Sequence, residues 1–199
     1  EDVGPYIHCH EYLDKAFGAR SVVIQLPQII PVSSTQIREM LAEGEGRKYL
    51  PPAVYGYILR NKLYSTHADL RALSDSDLRA CSLSMVYAKR HAHILGVEEE
   101  AVKLVRRWGG DETAARRAGI LHDCTKYWTR EEHLACCETY GLALDPQERE
   151  NEKLLHAKTG ALLARHLFGE KEAVCQAILW HTTGKADMSL LEKIIYIAD

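Results

Sequence analysis

The stretch "AGILHDCTKYW" (118–128) ends an apolar helical run on His122 and Asp123, an imidazole and a carboxylate side by side. One reading is a helix terminus where two polar residues meet water. The other is a metal site, because burying an unpaired carboxylate is costly and a cation removes that cost. The choice turns on whether other ligand-type side chains fall on apolar faces elsewhere in the chain.

They do. Residues spaced i, i+3, i+4 and i+7 share one helix face. His93 lies on the stripe Val86, His93, Val97, Ala101, Leu104, and His122 closes Ala114, Ala115, Ala118. His156 heads Gly160, Leu163, Leu167; His181 ends Val174, Ala177, Ile178; Asp199 ends Met188, Leu191, Ile195. Separate helices thus each aim a ligand-type side chain at one buried centre. Neutral imidazoles and carboxylates are the donors divalent cations take. The other histidines lack the pattern: His8, His10, His67, His133 and His166 stand in polar contexts, and His91 lies on another face from His93. Those are expected to be solvated.

Composition narrows the class. The 199 residues are 46% hydrophobic and 27% charged, with a net charge of −3, so no basic footprint marks a nucleic-acid partner. No apolar run approaches a membrane span and no signal peptide opens the chain. Six cysteines without a CxxC pair read as reduced, cytoplasmic thiols. The chain opens on Glu1 rather than Met, as a piece of a longer polypeptide would.

The expected fold is mainly α. Strands are expected at "VVIQL" (22–26) and in "PQIIPV" (27–32), then a capped helix in "SSTQIREMLAEGEGR" (33–47) and a short one in 50–64. Beyond residue 70 only helices are expected, at about 76–108 with a break near Ser82, then 112–126, 130–140, 150–168, 170–182 and 188–199. The character changes near residue 66, so the domains are drawn as 1–66, a short α/β fragment, and 67–199, an all-helical domain.

The order His93, His122-Asp123, His156, His181, Asp199 resembles the signature of the HD-domain metal phosphohydrolases. The blocks "RHAHILGV" (90–97), "AGILHDCTK" (118–126), "LLHAKTGALLA" (154–164) and "WHTTGKADMSLLEKIIYIAD" (180–199) are similar to the YqeK branch. The resemblance spans about 76–199. It implies a symmetrical diadenosine tetraphosphatase that releases two ADP, with two divalent metals, iron first and manganese, magnesium or cobalt as alternatives. It assigns His93, His122, Asp123 and Asp199 to one metal, and His156 and His181 to the second with Asp123 bridging. Lys126 is set to reach a phosphate, its bland reading being a solvated helix end. Thr182, Thr183 and Gly184 offer hydroxyls and backbone N–H groups to phosphate, or only a helix C-cap. Arg90 is a further phosphate contact, or a surface arginine. The family continues past "IAD", so Asp199 is expected to be loosely held and the substrate pocket incomplete. A small dinucleotide is then the partner, with neither nucleic-acid polymer nor membrane, and a homodimer as the candidate assembly.

Residues 32–64 resemble the C-terminal end of nicotinate-nucleotide adenylyltransferases, whose SSTxIR segment is matched by Ser33, Ser34, Thr35, Ile37 and Arg38. There the helix start faces ATP phosphates. The HxGH-type motif and its strand have no counterpart, since "HCH" (8–10) lacks the glycine, so the fragment is expected to be a vestige of a nucleotidyltransferase-like Rossmann domain, inactive by itself. The competing readings are an HD phosphohydrolase of another nucleotide and a nucleotide-binding regulatory HD domain. Every ligand position of the pattern is filled, which disfavours the latter.

Overall fold

Capping side chains start several of the helices that bear on the histidines. In a computed structural model describing residues 4–20 and 32–199, with the side chains of 4–10 left aside, α6 (Glu112–Leu121) begins where Asp111 accepts the Ala114 N–H at 3.0 Å. Thr129 and Glu132 form a capping box at α7 (Arg130–Thr139), and Ser189 and Glu192 another at α11 (Leu190–Ala198). The remaining helices are α1 (Gly4–Phe17), α2 (Ser34–Ala42), α3 (Pro52–Arg60), α4 (Asp75–Leu83), α5 (Ala88–Trp108), α8 (Pro146–Glu150), α9 (Glu152–His166) and α10 (Glu172–Trp180). The break expected near Ser82 is real and falls between α4 and α5. No strand occurs among the described residues, and no helix there is long and apolar enough to cross a membrane. The strand expectations fall on 22–31, outside the described residues. Helices α1 and α8 were not expected, because neither carries an apolar stripe long enough to signal burial.

The chain divides between Ser34 and Thr35 into two compact units, residues 1–34 and 35–199. Helix α1 belongs to the first. In the second, α5 packs on α6, α9 on α10, and α11 against α5, α6 and α10, while α7 covers α9. Leu121, Phe168, Ile178 and Ile195, all fully buried, sit at the centre of this packing. Residues 155–164 of α9 are buried nearly all round, which explains why that helix shows so weak a polar face.

The boundary at 66 follows the change in sequence character, whereas the compact boundary lies earlier. The reason is α3, which lies against α4 within the second unit. Gly56 makes that approach: a Cβ there would stand 1.9 Å from the Ala80 carbonyl oxygen. Tyr55, Ile58 and Leu59 are buried alongside it. On the far side of α4, Arg79 and Arg116 hold the buried Glu98 carboxylate, joining α4 and α6 to α5.

Candidate metal centre

Helix α6 stops at Leu121, and residues 122–127 continue as tight turns with Cys124 N–H on Leu121 O (3.1 Å) and Lys126 N–H on Asp123 O (2.9 Å). The stop turns two successive side chains, His122 and Asp123, into the interior, where both are fully buried. Helix α10 does the same for one side chain at the equivalent position. It ends at Trp180, and His181 points inward at 2% exposure. Helix α9 contributes His156, α5 contributes His93, and Asp199 caps the end of α11.

These side chains meet. His93 Nε2 lies 3.1 Å from His122 Nε2, and His156 Nε2 lies 3.1 Å from His181 Nε2. Asp123 stands between the pairs. Its Oδ2 is 3.7 Å from His93 Nε2 and 3.5 Å from His122 Nε2; its Oδ1 is 3.3 Å from His156 Nε2 and 3.8 Å from His181 Nε2. Two groups able to hold a metal ion result, His93–His122–Asp123 and Asp123–His156–His181, sharing one carboxylate. Asp199 Oδ1 reaches His93 Nε2 at 2.9 Å and His122 Nε2 at 3.6 Å, and its backbone N–H bonds Ile195 O. The loosely held Asp199 expected above is therefore not what the structure has.

The donors suit a cation on chemical grounds. His122 Nδ1–H donates to Gly119 O at 2.7 Å and His181 Nδ1–H to Ile178 O at 2.6 Å, which turns each Nε2 toward the centre. The His93 and His156 Nε2 atoms also face the centre, with Arg90 (2.9 Å) and Lys126 (3.0 Å) donating to them, so these cations must give up the lone pairs before an ion can take them. Asp123 Oδ1 is buried without a hydrogen-bond partner. A buried carboxylate oxygen that makes no hydrogen bond, with the Lys126 ammonium 3.4 Å away as its nearest cation, calls for further positive charge.

The carboxylates already draw positive charge into the cluster: burial opposes charging His122, yet its hydrogen bonds to the Asp123 and Asp199 carboxylates outweigh it and push its pKa up to about 9, so an ion binding there would displace a proton. Burial would raise Asp123, but the surrounding imidazoles hold its carboxyl far below the ordinary range. Hydrogen bonding to His122 likewise lowers Asp199 against the opposing effect of burial. Burial lowers His93, aided by His122 and Arg90, and lowers His156, aided by Lys126 and His181. Both are thereby kept in the neutral form that ligates.

The rim differs in places from the sequence reading. Arg90 is no surface arginine: its Nε donates to Asp123 Oδ2 at 2.6 Å. Lys126 is no solvated helix end, since its Nζ lies 3.4 Å from Asp123 Oδ1 as well as on His156. Thr182 Oγ1 stands 3.2 Å from His181 Nε2 and 3.4 Å from His156 Nε2. Thr183 is exposed, and the Gly184 N–H is occupied by Trp180 O at 2.9 Å, with φ +64. Gly184 thus serves the helix end, which leaves the hydroxyls and backbone N–H groups of Thr182 and Thr183 to be offered.

One histidine expected to be solvated is buried. His133, 1% exposed, bonds Thr159 Oγ1 at 2.8 Å through Nδ1. Thr159 Oγ1 donates to Thr125 Oγ1 (2.9 Å), and Thr125 Oγ1 to His156 O (2.9 Å). The chain of bonds braces the backbone of a candidate ligand. Its signal was present, for His133 and Cys137 form an i, i+4 buried pair on α7. His67 and His166 are exposed, and His91 is half-buried with Nε2 on Leu83 O. At the other end of the chain, Ser33, Ser34, Thr35 and Arg38 are exposed around the start of α2, and the Arg38 guanidinium lies 5.3 Å from the Tyr64 ring centroid.

Comparison with known proteins adds four findings. The family model described as "HD domain" matches residues 90–199. A protein of Halalkalibacterium halodurans named "Bis(5'-nucleosyl)-tetraphosphatase, symmetrical" is 41% identical over 113 residues, covering 55% of this chain and 59% of that protein. A protein of Mycoplasma pneumoniae named "Probable nicotinate-nucleotide adenylyltransferase/Ap4A hydrolase" is 27% identical over 153 residues, 76% of this chain and 40% of that protein. Among solved structures, one titled as a predicted HD superfamily hydrolase involved in NAD metabolism, from Clostridium acetobutylicum, superposes with a TM-score of 0.61 at 39% identity, covering 63% of this chain and 67% of that one. The chain spans about three fifths of the length of the first curated relatives it matches.

Proposed function

The chain belongs to the HD-domain family, and from that premise we propose that it is a metal-dependent hydrolase that cleaves diadenosine tetraphosphate symmetrically into two ADP. The observation that carries the reading is Asp123, whose two oxygens each face a different pair of imidazole nitrogens. One carboxylate so placed is the natural bridge of a two-ion site. The curated relative's name supports the substrate.

In this reading His93, His122, Asp123 and Asp199 hold one ion, and Asp123, His156 and His181 the other, with iron the first candidate. When bound, such ions supply Lewis acidity toward phosphoryl oxygens and a water deprotonated at neutral pH. The chain's own groups do the rest. Gly119 O and Ile178 O fix the rings of His122 and His181 through their Nδ1–H groups. Arg90 and Lys126, already at the cluster's edge, neutralise the phosphate chain and orient its central anhydride. Thr182 presents a hydroxyl to a phosphoryl oxygen beside His181. We read residues 1–66 as the end of a nicotinate-nucleotide adenylyltransferase-like domain, with Ser33, Ser34, Thr35 and Arg38 a vestigial phosphate cradle; the name of the Mycoplasma pneumoniae relative supports this. A cytoplasmic setting suits the five free cysteines among the described residues.

Metal analysis of the purified protein combined with product analysis on diadenosine tetraphosphate tests the proposal. ADP as sole product from metal-loaded protein is expected. AMP with ATP, or no cleavage by loaded protein, would overturn it.

A further inference from the structure

Beside the cluster lies an aromatic pair to which the chemistry above gives no task. Tyr87, at the start of α5, has its ring centroid 4.6 Å from that of Tyr127 at an interplanar angle of 54°. Tyr87 remains 63% exposed, and Tyr127 is half-buried. The Lys89 ammonium stands 5.8 Å from the first centroid and 5.2 Å from the second. The two rings thus brace each other while offering aromatic surface to water, an arrangement that adds little to the core.

Chain position ties this pair to the site. Tyr87 precedes by three residues Arg90, whose guanidinium bonds Asp123. Tyr127 directly follows Lys126, whose Nζ lies 3.0 Å from His156 Nε2. The two segments that bring cations to the cluster therefore each bring one ring, and the rings meet. A nucleotide has the same layout, with charged phosphates at one end and a flat π face a ribose away.

We infer that Tyr87 and Tyr127 form a stacking platform for one base of a nucleotide whose phosphates lie at Arg90 and Lys126. The inference rests on the dinucleotide reading above and extends it to base recognition. Stacking reads the face of a base rather than its hydrogen-bonding edge, so the platform is tolerant: purines of either kind are held, and the smaller pyrimidines more weakly.

The test is calorimetric titration of the metal-loaded protein with ADP and, separately, with pyrophosphate, which lacks a base. Tyr87→Ala and Tyr127→Ala are each expected to weaken ADP binding by roughly tenfold or more. Tyr87→Phe should restore it, and pyrophosphate affinity and metal content should not move. Unchanged ADP affinity in both alanine variants overturns the platform, as does a parallel loss of pyrophosphate binding, which would reduce the pair to a brace for the cations. A wild-type protein that binds pyrophosphate but not ADP overturns it too. The two readings part cleanly: ADP binding through the rings without cleavage of diadenosine tetraphosphate sinks the reaction, whereas cleavage with KM unmoved by the tyrosine variants sinks the platform alone.

Discussion

Replacing Gly56 by alanine measures how firmly α3 belongs to the helical unit that carries the metal centre. An added Cβ would stand 1.9 Å from Ala80 O, 2.1 Å from Ala80 C and 2.5 Å from Cys81 N, all backbone atoms that cannot swing aside. Contacts under 3.0 Å are essentially never seen for real Cβ atoms, so α3 and α4 must part by more than an ångström. That separation loosens Tyr55, Ile58 and Leu59 from Leu78 and Cys81, all buried at 7% exposure or less. Overpacking of this kind costs about 1–3 kcal/mol and occasionally more, while alanine gains back ~1 kcal/mol of helix propensity. Because the clashing atoms are backbone, the cost lies at the upper end of that range, about 3 kcal/mol, and the net should be a loss of about 2 kcal/mol, or roughly 4–8 °C in Tm for a unit of this size. Gly96→Ala is the control, because Gly96 lies inside α5 with nothing within 4 Å of its Cβ position. It receives the propensity gain alone and should be stabilised by up to ~1 kcal/mol. Thermal unfolding followed by circular dichroism, with metal content measured on each variant, gives the comparison. If Gly56→Ala melts at or above the wild-type temperature, the close crossing of α3 on α4 is wrong, and with it the assignment of residues 35–66 to this unit.

Asp123→Asn keeps the volume and removes the shared charge, so bound metal and hydrolysis should fall together while helix content holds; near wild-type turnover would refute the bridging role. Lys126→Ala should instead keep the metal and lose about 2–4 kcal/mol of transition-state stabilisation, seen in kcat; an unchanged kcat would make the ammonium a spectator. His133 is buried in its neutral form, with burial pulling its pKa down to about 4. A folded pKa below the unfolded value means stability is complete above about pH 6.5 and is lost as pH falls toward 4, by up to roughly 3 kcal/mol. His133→Gln should flatten that part of the Tm-against-pH curve, and identical slopes would contradict the neutral assignment. Incubation with ATP and nicotinate mononucleotide should give no dinucleotide, and its appearance at enzymatic rates would sink the vestigial reading of the first 66 residues.

The helical periodicity carried much of the site. Because α5, α6, α10 and α11 each bury one stripe, the inward direction of His93, His122, His181 and Asp199 could be read from spacing alone, whereas α9 is buried nearly all round and spacing places His156 only as buried. Periodicity says nothing about long polar side chains at a rim. Arg90 and Lys126 reach the cluster through flexible stems, so their exposed reading and their inward placement share the same sequence pattern. His133 was missed for another reason: Glu132 beside it is a capping residue and Glu131 another first-turn acid, and their charge hid a buried i, i+4 pair. The Gly56 crossing depends on α4, a partner whose approach no local pattern announces.

Three helices end at the cluster: α6 before His122, α10 before His181 and α11 before Asp199. Each C-terminus carries a partial negative charge of roughly half an electron from its aligned peptide units. The backbone therefore holds a standing attraction for cations that is independent of any ligand side chain. A protein stripped of one carboxylate should still concentrate divalent ions at this spot, weakly and with a strong dependence on ionic strength. Affinity for the ion would then come in part from where the helices stop, and selectivity among ions from the side chains that follow.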